Sequence, residues 1–346
     1  MFENISSELL QRAMQPPVTY GRHILAQTLR QVQTRFGVNS ATILTQPEVW
    51  KIAQAQFAEF EPLHVVFLRS LERDELAALE QELPETGVVA GLGGGQALDT
   101  AKYLAWKRER PLLLAPTIVS VDAAVTNTIA VREQQRVHYI GFCVADAIPV
   151  DLEIIAQAPR ELNRAGVGDL LSIHTALWDW EHAGTDYDPI VAEQARAILM
   201  RIDERAGEIA ACTDEALRLI LESYVKENAL CLQVGSSRPE EGSEHFLGYN
   251  LEYLSGRSFV HGQLICLCTY AMARLQANRP QWVRSLIERT RCPWRLSELG
   301  MSASCFIQAL LTLRDYAEAE GFVSSVITQR PITQAFAEQL ARECEA

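Results

Sequence analysis

The spacing of apolar and polar positions changes near residue 160 of this 346-residue chain. Before that point, short apolar runs alternate with stretches in which apolar residues recur every three or four positions, as strands and packed helices do. The apolar runs predict strands at 41–45, 64–68, 88–90 and 111–116. The periodic stretches predict helices at 22–36, 48–60, 73–83 and from Leu98 to Ala105, with another helix within 1–17. Strands that alternate with helices predict a doubly wound parallel sheet.

The second part of the chain has a different pattern. Residues 118–150 alternate apolar and polar positions and predict a β-hairpin that turns at 133–136. From Leu152 the pattern is almost wholly helical, and the predicted helices are 152–158, 161–183, 190–211, 214–232, 243–254, 261–275, 279–289, 303–318 and 329–344. The sequence therefore predicts an α/β domain over residues 1–158 and an all-helical domain over residues 159–346.

Composition and charge exclude some classes of partner. Hydrophobic residues make up 48% of the chain and charged residues 22%, as in ordinary globular proteins. The 31 basic and 44 acidic residues give a net charge of −13, which opposes binding to nucleic acid. The sequence has no basic run that would favour a membrane surface. It also has no apolar run of the roughly 20 residues that span a bilayer, so we expect no membrane partner.

The cysteines and the N-terminus indicate the compartment. Eight cysteines are scattered along the chain, mostly among apolar residues, and none forms a C-x-x-C pair. Such cysteines are typical of buried thiols in a reducing compartment. The first eight residues also lack the charged-then-apolar pattern of a signal peptide. We therefore expect a cytoplasmic protein.

One glycine-rich stretch dominates the first half of the chain. Residues 87–102 pass from an apolar run through four glycines in five positions into a helical pattern. Glycines at this place let backbone N–H groups approach a ligand at the positive end of the helix, which favours a diphosphate. The spacing of Gly91, Gly93, Gly94 and Gly95 matches neither G-x-G-x-x-G nor a Walker loop. A tight strand-to-helix turn without a ligand would give the same pattern.

The helical half contains side chains that can bind a metal. Asp169 follows a glycine turn at a predicted helix start, His245 lies in the first turn of another helix, and His261 follows 16 positions later. One carboxylate and two imidazoles suit a divalent ion such as Zn²⁺, Fe²⁺ or Ni²⁺ and leave a position open for a substrate. Spacing alone leaves a second interpretation, in which these residues are helix caps or members of the core.

Four ordered blocks carry a resemblance to a known family. They are Gly91-Leu-Gly-Gly-Gly-Gln-Ala-Leu-Asp-Thr-Ala-Lys102, Pro116-Thr-Ile-Val-Ser-Val-Asp122, Gly166-Val-Gly-Asp169, and Gly235-Ser-Ser-Arg-Pro-Glu-Glu-Gly-Ser-Glu-His245 followed by Val260-His-Gly262. With them, over residues 17–290, the chain resembles the superfamily of iron-containing alcohol dehydrogenases and dehydroquinate synthases. Within that superfamily it is most similar to the glycerol-1-phosphate dehydrogenases.

The resemblance implies an oxidoreductase that transfers a hydride between NAD or NADP and a small polyol or polyol phosphate. It implies that Asp169, His245 and His261 bind one divalent metal, Zn, Fe or Ni, and that Asp122 contacts the substrate near its reacting hydroxyl and relays a proton. It assigns the dinucleotide to the first domain, and the metal and substrate to the second. The implied cofactor-binding residues are Gly93, Gly94, Gly95, Gln96, Asp99, Thr117, Ser120, Thr126, Thr128 and Arg132. The family also implies a homo-oligomer.

Departures from the family leave the substrate open. Arg238 and the serines around it could hold a phosphate. Four residues after His245, however, Tyr249 stands where the glycerol-1-phosphate branch usually carries a second histidine for substrate. An unphosphorylated substrate such as glycerol or a cyclitol, a dehydroquinate-synthase-like cyclase and a non-catalytic binding protein are the alternatives. At Thr45 and Gln46, after the first predicted strand, no acidic residue is present to bind the ribose 2′-hydroxyl and exclude NADP, so the choice between NAD and NADP is open. Lys102 could either pair with Asp99 or reach the cofactor.

Overall fold

A computed structural model of the chain contains two compact units that divide between Asn163 and Arg164. The structure describes residues 5–85, 87–134, 136–184 and 186–345. The first four residues of the predicted N-terminal helix and Gln135 of the predicted hairpin turn lie outside the described residues. The division between the units falls shortly after the domain boundary predicted at residue 158.

The first unit contains a four-stranded parallel sheet. The strands along the chain are β1 Val18–Gly21, β2 Ala41–Thr45, β3 Leu63–Phe67, β4 Val88–Gly93, β5 Leu112–Pro116, β6 Thr128–Glu133, β7 Arg136–Phe142 and β8 Ile148–Asp151. The sheet has the order β3-β2-β4-β5, and β6 and β7 form the predicted antiparallel hairpin. Every residue of β2, β4 and β5 is buried, which explains their continuous apolar runs.

The first unit also contains helices. They are α1 Ser7–Met14, α2 Leu25–Phe36, α3 Pro47–Ala53, α4 Arg73–Glu82, α5 Gly95–Arg108 and α6 Leu152–Gln157, and α7 Arg160–Arg164 leads into the second unit. Of these helices, α2 and α5 pack against the sheet. Leu25, Leu29 and Val32 lie on one face of α2 and are buried with Ile43 and Leu92 of the sheet. The glycine-rich stretch is thus the junction of a buried central strand, β4, with a long helix, α5.

Strands β1 and β8 and their pairing were not predicted from the sequence. These two strands pair in parallel, Val18 with Ile148 and Gly21 with Asp151. Each has four residues, so neither is long enough to show a clear alternation of apolar and polar positions. Pairing between residues that are 130 positions apart also leaves no local signal.

The described residues of the second unit form helices and no strand. After α7 these are α8 Val167–His182, α9 Pro189–Glu204, α10 Ala206–Ala211, α11 Asp214–Val234, α12 Ser243–Ser255, α13 His261–Gln276, α14 Pro280–Thr290, α15 Ala303–Ala319, α16 Val326–Gln329 and α17 Gln334–Glu345. The predicted single helix 161–183 is wrong, because it is interrupted between Arg164 and Val167. The helix start predicted for Asp169 after the glycine turn is confirmed, since Asp169 lies in the first turn of α8. The predicted fold class, a parallel α/β sheet domain followed by a helical domain, is confirmed.

A search of the described helices for membrane spans gives a negative result: none combines the length and the apolar character that crossing a bilayer requires.

Candidate functional site

Three helix starts of the second unit bring the predicted metal ligands together. Asp169 lies in the first turn of α8, His245 in the first turn of α12, and His261 is the first residue of α13. One ligand atom from each residue lies within 4.8 Å of the other two. Nε2 of His261 is 3.1 Å from Oδ1 of Asp169, and the two imidazole centroids are 5.3 Å apart. Asp169 and His245 are buried, whereas 32% of the His261 side chain is exposed.

Two glycines allow α8 and α13 to approach closely enough for this arrangement. A Cβ atom on Gly168 would lie 2.1 Å from the carbonyl oxygen of Gly262 and 2.5 Å from its Cα. Only a residue without a side chain fits there, because the obstacle is backbone. Asp169 and His261 are the chain neighbours of these glycines. The motifs Gly-Val-Gly-Asp and His-Gly therefore encode the helix packing as well as the ligands.

Glu244 orients His245 and was missed in the sequence as a functional residue. Its side chain is fully buried, and its Oε1 accepts hydrogen bonds from Nδ1 of His245 at 3.0 Å and from N–H of Gly242 at 2.6 Å. Its Oε2 accepts from the Thr175 hydroxyl at 2.7 Å. A carboxylate that holds Nδ1 of a histidine fixes the ring so that Nε2 serves as the ligand atom. The only sequence signal is that Glu244 directly precedes a candidate ligand.

The electrostatic environment of the cluster favours a cation. Burial alone would lower the pKa of His245, but hydrogen bonding to Glu244 and the charges of Glu241, Glu244 and Asp169 raise the pKa to about 9. Burial likewise acts to lower the pKa of His261, and Asp169 raises it above its ordinary value. Carboxylates that stabilise a positive imidazolium equally stabilise a divalent ion between the same side chains. The donor set, one carboxylate and two imidazoles, therefore fits Zn²⁺, Fe²⁺ or Ni²⁺.

The glycine-rich turn of the first unit has the shape of an anion cradle. Gly93 ends β4, Gly94 precedes α5 and Gly95 begins it. A Cβ atom on Gly93 would lie 2.6 Å from Oε1 of Gln46, and one on Gly94 would lie 2.9 Å from Cδ1 of Ile118. The first turn of the 14-residue helix α5 directs backbone N–H groups towards this turn. Backbone N–H groups at such a helix start can bind a diphosphate, and the contacts of these glycines with the cofactor stay a prediction.

Neighbouring loops bring further predicted cofactor residues to the cradle. Thr117 follows β5 and donates its N–H to the carbonyl of Gly93 at 3.0 Å. Gln96 accepts a hydrogen bond at 3.1 Å from the side-chain amide of Gln46, which follows β2. Thr117 and Ser120 are both buried. The carboxyl ends of β2, β4 and β5 thus meet here, as expected for a ligand site of a parallel sheet.

Asp99 and Lys102 form a buried pair beneath the hairpin. Nζ of Lys102 lies 2.7 Å from Oδ1 of Asp99, 2.8 Å from the carbonyl of Thr128 and 3.2 Å from that of Thr126. An ammonium group has three donors, and these three acceptors match them. Of the two predicted roles of Lys102, the structure therefore shows the ion pair with Asp99. Asp99 also accepts from N–H of Ala130, so the predicted contact of Asp99 with the cofactor stays a prediction.

The remaining predicted residues have the following positions. Asp122 begins a short 3-10 turn, and its carbonyl accepts hydrogen bonds from N–H of Val125 and Thr126. Arg132 lies in β6 and donates its backbone N–H to Leu71. Arg238 donates to the carbonyl of Ser324 at 2.7 Å. Their predicted contacts with substrate and cofactor stay predictions.

Comparisons with known proteins agree with this geometry. Residues 24–159 match the family described as iron-containing alcohol dehydrogenase. The chain is 30% identical to glycerol-1-phosphate dehydrogenase (NAD(P)+) of Aeropyrum pernix over 285 residues, 81% of this chain and 80% of that protein. It is 29% identical to the enzyme of the same name from Hyperthermus butylicus over 91% of this chain and 93% of that protein.

Solved structures share the fold at low identity. Glycerol dehydrogenase of Schizosaccharomyces pombe superposes with a TM-score of 0.74 at 19% identity, covering 95% of this chain and 89% of that chain. An iron-containing alcohol dehydrogenase of Corynebacterium glutamicum superposes with a TM-score of 0.70 at 19% identity, over 95% and 94%. The predicted resemblance is confirmed, and the chain belongs to the iron-containing alcohol dehydrogenase superfamily, in which it is related to the glycerol-1-phosphate dehydrogenases.

Proposed function

We propose that this protein is a metal-dependent oxidoreductase that transfers a hydride between NAD(P) and a small polyol or polyol phosphate. Glycerol 1-phosphate and dihydroxyacetone phosphate are the leading substrate pair. The observation that carries the proposal is the cluster of Asp169, His245 and His261, whose ligand atoms lie within 4.8 Å of one another. It occurs in a chain that is 30% identical to a glycerol-1-phosphate dehydrogenase over four fifths of that enzyme.

Asp169, His245 and His261 would hold one divalent ion, Zn, Fe or Ni. When bound, such an ion polarises the reacting oxygen of the substrate. Glu244 keeps the His245 ring in one orientation by accepting from its Nδ1, and the close packing of Gly168 on Gly262 sets the spacing of the other two ligands. A substrate would approach from the side on which His261 is exposed.

The first unit would bind the dinucleotide. The turn from Gly93 to Gln96 would hold the diphosphate through backbone N–H groups at the start of α5. The further cofactor contacts in the proposal are those of Asp99, Thr117, Ser120, Thr126, Thr128 and Arg132. Asp122 would carry the proton to or from the substrate oxygen, directly or through water and a ribose hydroxyl.

The proposal also includes the setting of the reaction. The enzyme would act in the cytoplasm on a small-molecule substrate, as a homo-oligomer. Its net charge of −13 opposes binding to nucleic acid and to anionic membranes.

Oxidation of NADH and NADPH by the metal-loaded protein tests this function. Dihydroxyacetone phosphate, dihydroxyacetone and keto-cyclitols serve as substrates, and Asp169→Ala and His261→Ala serve as variants. His182→Ala is the matched control, because His182 lies on the same helix as Asp169 but outside the cluster, with its Nδ1 bound to the carbonyl of Trp178. We expect turnover of dihydroxyacetone phosphate that both cluster variants abolish and the control retains.

Other outcomes separate the alternatives. Turnover of an unphosphorylated ketone alone would replace the phosphate substrate by a polyol. Tight retention of NAD without net formation of NADH would point to a cyclase related to dehydroquinate synthase. Binding of metal and dinucleotide without turnover of any ketone in the panel would contradict the proposed substrates.

A further inference from the structure

A carboxylate and a phenol lie next to the metal cluster: Glu241 on the segment that leads into α12, and Tyr249 within α12. The Tyr249 hydroxyl donates a hydrogen bond to Oε1 of Glu241 at 2.6 Å, and both side chains are partly exposed. Tyr249 stands one helical turn after His245 on the same face of α12, with ring centroids 6.1 Å apart.

The backbone that carries Glu241 is held firmly. N–H of Glu241 donates to the carbonyl of Ser237 at 2.8 Å, which closes a turn over residues 237–241. The Ser172 hydroxyl donates at 2.5 Å to the carbonyl of Glu240 and so joins this turn to α8, the helix of Asp169. Phe322 packs against the Tyr249 ring at 5.9 Å. The pair therefore has a defined position relative to the three ligands.

We infer that Glu241, positioned by Tyr249, accepts a hydrogen bond from a neutral hydroxyl of the substrate beside the reacting carbon and excludes an anionic group from that position. This inference rests on the proposed function and extends it to the specificity of the same site.

The chemistry of a carboxylate supports this assignment. An ionised carboxylate offers only acceptors, with capacity for several hydrogen bonds, so the Tyr249 bond leaves room for a second donor. A polyol hydroxyl is such a donor, whereas a phosphate oxygen at neutral pH is not. An ionised Glu241 is negative itself, so a phosphate at the same point would meet like charge. The phosphate of a polyol phosphate would therefore lie at the opposite end of the substrate from Glu241.

Two pairs of ketones test the inference. Dihydroxyacetone phosphate and hydroxyacetone phosphate differ only in the free hydroxyl, and so do dihydroxyacetone and hydroxyacetone. We expect the wild-type enzyme to prefer the member with the hydroxyl, and Glu241→Gln to lower kcat/KM for that member by about 10- to 100-fold while changing the other little. Tyr249→Phe should act mainly through KM, because Tyr249 only positions the carboxylate.

The matched control is Tyr270→Phe, which removes a hydrogen bond of the same kind, from Tyr270 to Glu343 at 2.9 Å. This control should leave the preference unchanged. A second readout is the rise in Tm that glycerol 1-phosphate gives to the metal-loaded protein, which should shrink in Glu241→Gln.

The outcomes distinguish the inference from the function on which it rests. If the wild-type enzyme reduces both members of a pair equally well, or if Glu241→Gln affects both members alike, the inference is wrong and the proposed function stands. If the metal-loaded wild-type protein reduces none of the four ketones, the proposed function fails and the inference fails with it.

Discussion

Glu244 and Asp99 are buried carboxylates that hold neighbouring groups in place. Glu244 accepts from His245, Gly242 and Thr175, and Asp99 accepts from Lys102 and Ala130. Burial raises the pKa of Asp99, and the charge of Lys102 opposes that rise. In both cases removal of one partner leaves a buried polar group without its hydrogen bond, so single substitutions should have large effects.

Glu244→Ala should weaken metal binding. The imidazole of His245 loses the acceptor at Nδ1, and loss of such an acceptor usually lowers metal affinity by about 10- to 100-fold. Calorimetric titration of Zn²⁺ into chelator-treated protein measures the change. Glu208→Ala, at an exposed pair with Arg205, is the control and should bind as the wild type does. Equal affinity of Glu244→Ala and the wild type would show that Glu244 does not orient the ligand.

Lys102→Met should destabilise the first unit by about 3–5 kcal/mol, because it leaves the Asp99 carboxylate buried without its counter-charge. Replacing both residues, as in Asp99→Leu with Lys102→Met, should restore part of the loss. Urea unfolding curves of the single and double variants measure these free energies. Full stability of Lys102→Met would mean that the ion pair is not needed and would reopen a role of Lys102 at the cofactor.

At the scale of helices and strands, the site depends on helix starts. Asp169, His245 and His261 all lie in first turns, so the relative positions of α8, α12 and α13 decide their separation. Gly168 and Gly262 set one of these distances. Asp179 helps to set the separation of α8 and α12, since its carboxylate accepts hydrogen bonds from N–H of Ser243 at 2.8 Å and from N–H of Val326 at 2.7 Å. It thereby anchors the start of α12 to α8.

Gly168→Ala should separate α8 from α13. The added methyl would overlap the Gly262 backbone, and such overpacking usually costs about 1–3 kcal/mol. We also expect a lower metal affinity, because Asp169 and His261 move apart. Gly207→Ala is the control, because nothing lies within 4 Å of its added Cβ, and it should be neutral or stabilising by up to about 1 kcal/mol. Wild-type metal affinity in Gly168→Ala would contradict the role given to this contact.

Asp179 should make stability depend on pH. Burial, together with the charge of Glu244, raises the pKa of Asp179 from 3.8 to about 6. The folded protein then binds this proton more tightly than the unfolded chain, so the contribution of Asp179 to stability falls as pH rises from about 4 to about 6. The fall should reach about 3 kcal/mol at most, at 1.36 kcal/mol per pH unit. Asp179→Asn should lack this component.

Urea unfolding at pH 4, 5, 6 and 7 compares the two proteins. The difference in unfolding free energy between wild type and Asp179→Asn should shift steadily in favour of the variant up to pH 6 and then level off. A difference that does not change with pH would rule out titration of Asp179 in this range.

At the scale of the whole molecule, the sequence predicts the order of elements better than it predicts their contacts. Strands β2, β4 and β5 are buried on both faces and read as apolar runs, so they are predictable. The pairing of β1 with β8 depends on packing of distant segments, whereas the helix start before Asp169 is indicated by the glycine turn at Gly166. The cluster residues can be named from their motifs, whereas the functions of Glu244 and Lys102 follow only from what surrounds them in the fold.

The most direct test of the account is a titration of metal into chelator-treated protein in the presence of NAD(P)H and dihydroxyacetone phosphate. The account predicts no turnover without metal and a rate that rises with added Zn²⁺, Fe²⁺ or Ni²⁺ until one ion per chain is bound. Turnover that persists after complete removal of metal, or no turnover at one bound ion per chain, would contradict it.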